Sequence, residues 1–379
     1  MKVYLDYNAT TPTDRRVLEV MLPYFSEKFG NPSSVHSFGR ETREAVEKAR
    51  EVVAQCLNAS PEEIFFTSGG TESDNFAIRG VAYRLKDKGN HVITTAIEHS
   101  AVLKTVYDLA NFGFEFTILP VDQYGLVDPD EFRKAIKRNT ILASIMFANN
   151  EIGTIQPIKE LAEIAHEHGI VFHTDAVQGG GKEKLDVEEL GVDLLSLSGH
   201  KFYAPKGVGI LYIRKGTPIN KIQTGGSHER NMRAGTENVP GIVGIGEACR
   251  LTMIELDERN ALMKRLRDKL EEAILSNESL KAKLNGHPTK RVVNTLNVLF
   301  EGIDAGDAVL EFDKKGIGVS AASACKAGSR TPSHVLMAIG RTPEEAYSSI
   351  RFSLGRYTTE EEIDYVISVL EDVIRAARK

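Results

Sequence analysis

The chain has 379 residues, of which 41% are apolar and 26% charged, and a formal charge of −6. That length suits two domains, and the composition is that of a globular protein. The acidic balance argues against a purely electrostatic nucleic-acid binder, so no direct DNA binding is expected. The opening MKVYLDYNATTP lacks a secretory pattern, and no apolar run of about eighteen residues is present. The expected compartment is the cytoplasm, with no membrane span.

In chain order, ETREAVEKAREVVAQCL reads as a helix with Ala45, Ala49, Val52, Val53 and Cys56 on one face, which makes Cys56 a buried structural thiol. Cys249, in VGIGEACRLTMIEL, reads the same way. From about residue 60, short β-branched runs alternate with helical stretches: EIFFTS, a helix through Asn75 to Leu85, HVITTAIEH, FTILPVD, TILASIMFA, the helix IKELAEIAHEHG, IVFHTDA, DLLSLSG and GVGILYI. Such alternation predicts a mostly parallel sheet with helices on both faces. A long amphipathic helix is expected from about Gly244 to Ser276, some 50 Å at 1.5 Å per residue, enough to bridge two domains. Beyond it, RVVNTLNVLF and IGVSAAS read as strands of a second α+β segment. The closing TTEEEIDYVISVLEDVIRAARK reads as a helix with a capping box. The expected division is a large domain over residues 14–250 and a small one formed by 1–13 with 251–379.

Three segments carry chemistry. In FTSGGTESDNFAI a strand runs through Gly-Gly into a helix, where backbone N–H groups can meet an anion. The dinucleotide fingerprint and the Walker loop are both missing from the chain, so a bound phosphate belongs to another cofactor. VFHTDAVQ sets Asp175 at the end of an apolar strand, where a buried carboxylate needs a partner such as a protonated ring nitrogen. LLSLSGHKFYAPKGVG places Ser198, His200 and Lys201 after a strand, and a lysine there can form a Schiff base with a carbonyl cofactor. Each alone is weak. Together they are the three attachments that pyridoxal 5'-phosphate (PLP) requires. His166, His168 and His173 do not make a persuasive metal site, since the first two fall on an exposed helix.

Segments spread over the chain carry a resemblance: LDYNATTP, GNPSSVH, FTSGGTESDN, IEHSAV, ANNEIGTIQP, HTDAVQ, SGHKFYAPKGVG, RAGTENVPGIVG and SSIRFSLGRYTTEEEID. On these the sequence resembles the cysteine desulfurases of the class V aminotransferase-like superfamily, in their longer-loop branch. The resemblance implies a PLP-dependent transferase of fold type I, an α/β protein with a large domain built on a mostly parallel seven-stranded sheet plus a smaller α+β domain. Lys201 matches the lysine that holds PLP, Asp175 the partner of the pyridine nitrogen, and Gln178 the partner of the ring oxygen. His99 matches the imidazole stacked on the ring, which helps proton transfer. Gly70, Thr71, Ser198 and His200 match phosphate ligands. Thr236 matches a residue that reaches the neighbouring subunit's phosphate, which implies a homodimer. Asn150 and Arg351 match the receivers of the substrate carboxylate, a role suited to the Arg fork.

Cys325, in SAASACKAGSRTPSHVL, matches the thiol that takes sulfur from PLP-bound L-cysteine and keeps it as a persulfide. Lys326 and Arg330, if close, would favour the thiolate. The branch implied serves iron–sulfur assembly and tRNA thiolation, so a scaffold protein or another sulfur acceptor is the expected partner. No resident metal is expected, although Cys325 could lend itself transiently to an iron–sulfur cluster. The same scaffold could also run selenocysteine lyase or aminotransferase chemistry. Ser227, His228, Lys326 and Ala327 depart from the family pattern.

Overall fold

The computed structural model describes residues 1–321, 325–326 and 329–378, with backbone alone at 325–326 and 329–330. The first strand is β1 (Val3–Tyr4), followed by β2 (Ile64–Thr67), β3 (His91–Thr95), β4 (Glu115–Leu119), β5 (Thr140–Ser144), β6 (Val171–Asp175), β7 (Leu194–Ser198) and β8 (Gly209–Ile213). Strands β2 to β8 form a seven-stranded sheet in the order β2-β8-β7-β6-β5-β3-β4. Only β8 runs against its neighbours; the other pairings are parallel. The expected α/β architecture is therefore present.

Side chains alternate across a strand, so a sheet covered on both faces feeds two cores. Phe66, Ile210 and Tyr212 pack into one apolar cluster, while the adjacent Phe65 and Leu211 pack into the other. Cys249 is buried in the first cluster, and Cys56 is half-buried against it. Burying side chains of this size at about 25 cal/mol per Å² is what holds helices to both faces.

The second unit contains β9 (Ala282–Asn285), β10 (Thr295–Phe300), β11 (Ile317–Gly318), β12 (Ser320–Ala321), β13 (Cys325–Lys326), β14 (Ser329–Arg330) and β15 (Ser349–Ser353). Its antiparallel sheet has the order β12-β15-β10-β9, and β13 pairs with β14. β1 pairs with β11, and Val3 and Leu5 join this unit's core with Phe300, Phe352 and Leu370. Within the predicted IGVSAAS strand, Ile317–Gly318 and Ser320–Ala321 form two short strands split at Val319. The closing helix Glu360–Ala376 is capped by Thr359, with Glu362 completing the box.

The long helix runs Val239–Leu275, five residues earlier at its start than the apolar pattern indicated. The cause is local: the Asn238 side chain accepts from the Gly241 N–H, and Pro240 occupies the first turn, where it lacks no needed donor. Its 37 residues span about 55 Å. Ile242, Ile245 and Leu251 enter the large core, and Leu266, Leu270 and Ile274 the small one.

Candidate active site

The carboxyl ends of the parallel strands converge on one rim, the usual place for a ligand in an open α/β sheet. β2 is followed by Gly70 and Thr71, β3 by His99, β5 by Asn150, β6 by Gln178 and β7 by His200 and Lys201. A cavity of about 420 Å³ is lined by Gly70, Thr71, His99, Asn150, Asp175, Gln178, Ser198, His200, Lys201 and Arg351, together with Asn8, Ala9 and Asp74. Ten of the twelve residues singled out in the sequence therefore meet there.

Lys201 stands in a tight turn, Gly199–Lys201, directly after β7. Its Nζ donates to the carbonyls of Asn8, at 2.7 Å, and Ala9, at 2.9 Å. Desolvation, with the nearby Arg351 charge, lowers its pKa to about 8. An amine so tuned is partly unprotonated near neutrality and able to act as a nucleophile. Asp175 ends β6, is 4% exposed, and accepts from the Val177 N–H at 2.9 Å. Burial pushes its carboxyl up, while that N–H, His99 and Lys201 pull it back. Among the described residues no Lys or Arg forms an ion pair with this carboxyl, and only the more distant His99 and Lys201 act on it.

His99 caps the helix Ser100–Leu109, its Nδ1 accepting from the Ala101 N–H at 3.2 Å. That contact assigns the other ring nitrogen, Nε2, as the N–H of the neutral ring. Desolvation lowers its pKa, so the ring stays neutral near pH 7. The Nδ1 of His200 meets Thr10 Oγ1 at 3.1 Å, and burial lowers its pKa to about 4.

The phosphate-sized corner is shaped by glycine. Gly69 sits at φ 151°, and a Cβ on Gly209 would meet Gly69 Cα at 2.6 Å, so the two backbones close up only without side chains. A Cβ on Gly70 would press on Val177 at 2.8 Å. The helix Gly70–Leu85 then presents its N-terminal N–H groups at the same corner.

Arg351, on β15, reaches the cavity from the small unit. Nη2 pairs with Asp6 Oδ1 at 2.6 Å, Nη1 donates to Asn150 O at 2.9 Å, and the buried Nε has no partner among the described residues. The side chain is thus both an ion-pair member and a cavity residue, its fork fixed and donors left over. Asp74 Oδ1 is also buried without a hydrogen-bond partner.

Two singled-out residues lie elsewhere. Thr236 is exposed and outside this cavity, in a segment tied to the glycine-lined corner by Arg233, which pairs with Glu72 at 2.7 Å. His228 closes that segment by accepting from the Gly235 N–H at 3.2 Å. The Cys325 thiol lies outside the described residues. Its backbone lies in β13 with Arg330 opposite in register, five positions after Ser320, which pairs with Arg351. The three histidines diverge: His166 meets Asp193, His168 meets Ile164 O, and His173 sits between Ser144 and Ser196.

The sequence reading missed Asn8, Lys182 and Glu98. Asn8 lies in the quoted LDYNATTP, but its contribution is a main-chain carbonyl, which residue identity does not reveal. Lys182 follows Gln178 by four positions in QGGGK, a spacing that would have flagged it. Glu98 is fully buried behind the rim, where desolvation raises its pKa to about 8.

The fold and this cavity define a transferase scaffold suited to a phosphate-bearing aldehyde cofactor. The chain belongs to the aminotransferase class-V family, whose model matches residues 3–366. It is 54% identical over 376 residues to the cysteine desulfurase IscS of Methanosarcina thermophila, covering 99% of this chain and 93% of that one. It is 53% identical over 377 residues to the cysteine desulfurase IscS of Dictyoglomus turgidum, covering 100% and 95%. A solved NifS-like protein superposes with a TM-score of 0.93 at 43% identity, covering 99% of this chain and all of the other. A structure described as SspA in complex with cysteine gives 0.83 at 38%, covering 94% of this chain.

Proposed function

We propose that this chain is a PLP-dependent cysteine desulfurase, converting L-cysteine to L-alanine and holding the released sulfur on Cys325. The observation that carries the reading is the meeting of Lys201, Asp175 and His99 in one cavity, with Arg351 entering from the small unit. The cavity fits the cofactor. A glycine-walled corner matches a phosphate, a buried carboxyl has no ion pair among the described residues, and a lysine of lowered pKa stands beside them.

Lys201 would hold PLP through its aldehyde carbon, Asp175 would face the ring nitrogen, and Gly70, Thr71, Ser198 and His200 would hold the phosphate. When bound, the cofactor supplies an electron sink for the bonds at the substrate's α-carbon. Arg351 and Asn150 orient the substrate carboxylate, the Arg with donors left after Asp6. Lys201 moves the α-proton, and neutral His99 carries a proton at Nε2. The Cys325 thiolate forms a bond to the substrate sulfur as the substrate C–S bond breaks. The carbon fragment takes up a proton and leaves as alanine, so one thiol and one cysteine give one persulfide and one alanine.

The active unit proposed is a homodimer in which Thr236 completes the neighbouring phosphate corner. An exposed apolar group supports it: Phe25 is 62% exposed, Phe29 67%, Val35 82% and Phe38 55%. The persulfide is destined for an iron–sulfur scaffold protein or another acceptor, in the cytoplasm. Among the described residues no helix is long and apolar enough to cross a membrane. Selenocysteine lyase or aminotransferase chemistry would turn over without Cys325, and no observation favours it.

The test is alanine and sulfide production from L-cysteine by the PLP-loaded protein and its Cys325→Ser variant. Turnover in the first and its loss in the second is expected. Equal output from both would remove the thiol from the reaction.

A further inference from the structure

Behind the cavity, the chain makes a tight turn through Gly179, Gly180 and Gly181 after β6. Gly181 is at φ +69°, and a Cβ there would meet Phe202 Cβ at 2.5 Å, while one on Gly179 would meet Phe147 at 2.8 Å. The turn is thus pressed flat on two aromatic rings, and Lys182 folds back under Gln178. Lys182 is 5% exposed, and its carbonyl accepts from Asn260 of the long helix at 2.7 Å.

Lys182 Nζ lies 3.0 Å from Gln178 Oε1 and 3.2 Å from Gln178 O. An ammonium only donates, so the oxygen of the Gln178 amide must face it. On the other side, Gln178 Nε2 donates to Asn8 O at 3.1 Å. A carbonyl only accepts, so both neighbours demand one amide orientation. One N–H of Nε2 is left for the cavity that Gln178 lines. The same Asn8 carbonyl receives Lys201 Nζ, so Lys182, Gln178, Asn8 and Lys201 form one connected chain.

We propose that Lys182 is a positioning residue, which locks the Gln178 amide so that an N–H rather than a carbonyl oxygen meets the ring oxygen of PLP. This rests on the PLP reading above. Without that donor only the Asn8 carbonyl still holds the orientation, and an amide that turns sets its oxygen against an oxygen that carries negative charge, so attraction becomes repulsion. The charged groups acting on Lys182 are Lys201, Arg351 and Glu183, and desolvation with the two cations brings its pKa to about 7. The lock is therefore firmest where the ammonium persists, toward acid.

The experiment measures PLP affinity of the cofactor-free protein by equilibrium dialysis, with the melting temperature recorded alongside. Lys182→Met is expected to weaken binding about tenfold, the loss of one charge-assisted hydrogen bond. In a Gln178→Met background the same change should have little further effect, because the amide it orients is gone. A general structural role would instead give the same loss in both backgrounds, and that result overturns the proposal, as does unchanged affinity in Lys182→Met. If Lys182→Met does not fold, Gln178→Glu decides. It pairs better with Lys182 but offers no N–H to the cavity or to Asn8 O, so affinity should fall, and retained affinity would overturn the proposal. Failure of the unaltered protein to bind PLP at all would sink the cofactor reading instead.

Discussion

The rim of the large sheet and the hairpin that carries Cys325 are built in opposite ways. Lys201, Asp175 and Ser198 stand at or just beyond strands buried at every position, clamped by main-chain contacts such as Lys201 to Asn8 and Ala9. The backbone of Cys325 stands in a two-residue strand that, among the described residues, pairs with another of two residues, in a sequence rich in Ala, Ser and Gly. A group that must meet a cofactor at one fixed angle belongs on a rigid element, because small misplacement costs rate. A thiol that must collect sulfur in one place and hand it on in another has the opposite need.

Changes on the rim should therefore abolish binding and chemistry together, whereas changes on the hairpin should leave binding intact. The largest effect is expected for Lys201→Ala, which should lose the visible band that borohydride fixes and on the order of 10²–10⁴ in rate. A retained, reducible band would remove Lys201 from its role. Cys325→Ser should keep that band at full intensity, and a lost band would break the contrast between rim and hairpin. Arg351→Lys keeps the charge but loses the fork, and the KM for L-cysteine should rise about tenfold to a hundredfold. An unchanged KM would leave Arg351 as only the partner of Asp6. The smallest effect is in pH. The Lys201 amine is free above a pKa of about 8, so the rate at which cofactor-free protein takes up PLP should rise through pH 8 and then level. A midpoint near 10.5, the ordinary lysine value, would show that burial does not act on it.

Much of the rim was legible because the α/β alternation fixes where strands end, and the chemistry follows the ends. Asp175 and Lys201 gained their meaning from that placement only when read together with FTSGGTESDN, whose strand, glycines and helix start complete the set. The long helix was started too late in the sequence reading: Val239 and Ile242 already lie on its buried face, and Asn238 caps it. Asn8 was invisible for another reason: its working atom is a carbonyl oxygen, which any residue could supply. Arg351 was assigned by resemblance alone; it also pairs with Asp6, and the antiparallel placement of β15 brings it to the cavity.

The most direct measurement is a single turnover with sulfur-labelled L-cysteine on the PLP-loaded protein, followed by peptide mapping without reductant. The account requires the label on the peptide that carries Cys325, with one alanine released per label bound. Alanine formed with Cys325 unlabelled, or label on Cys56 or Cys249 instead, would contradict it.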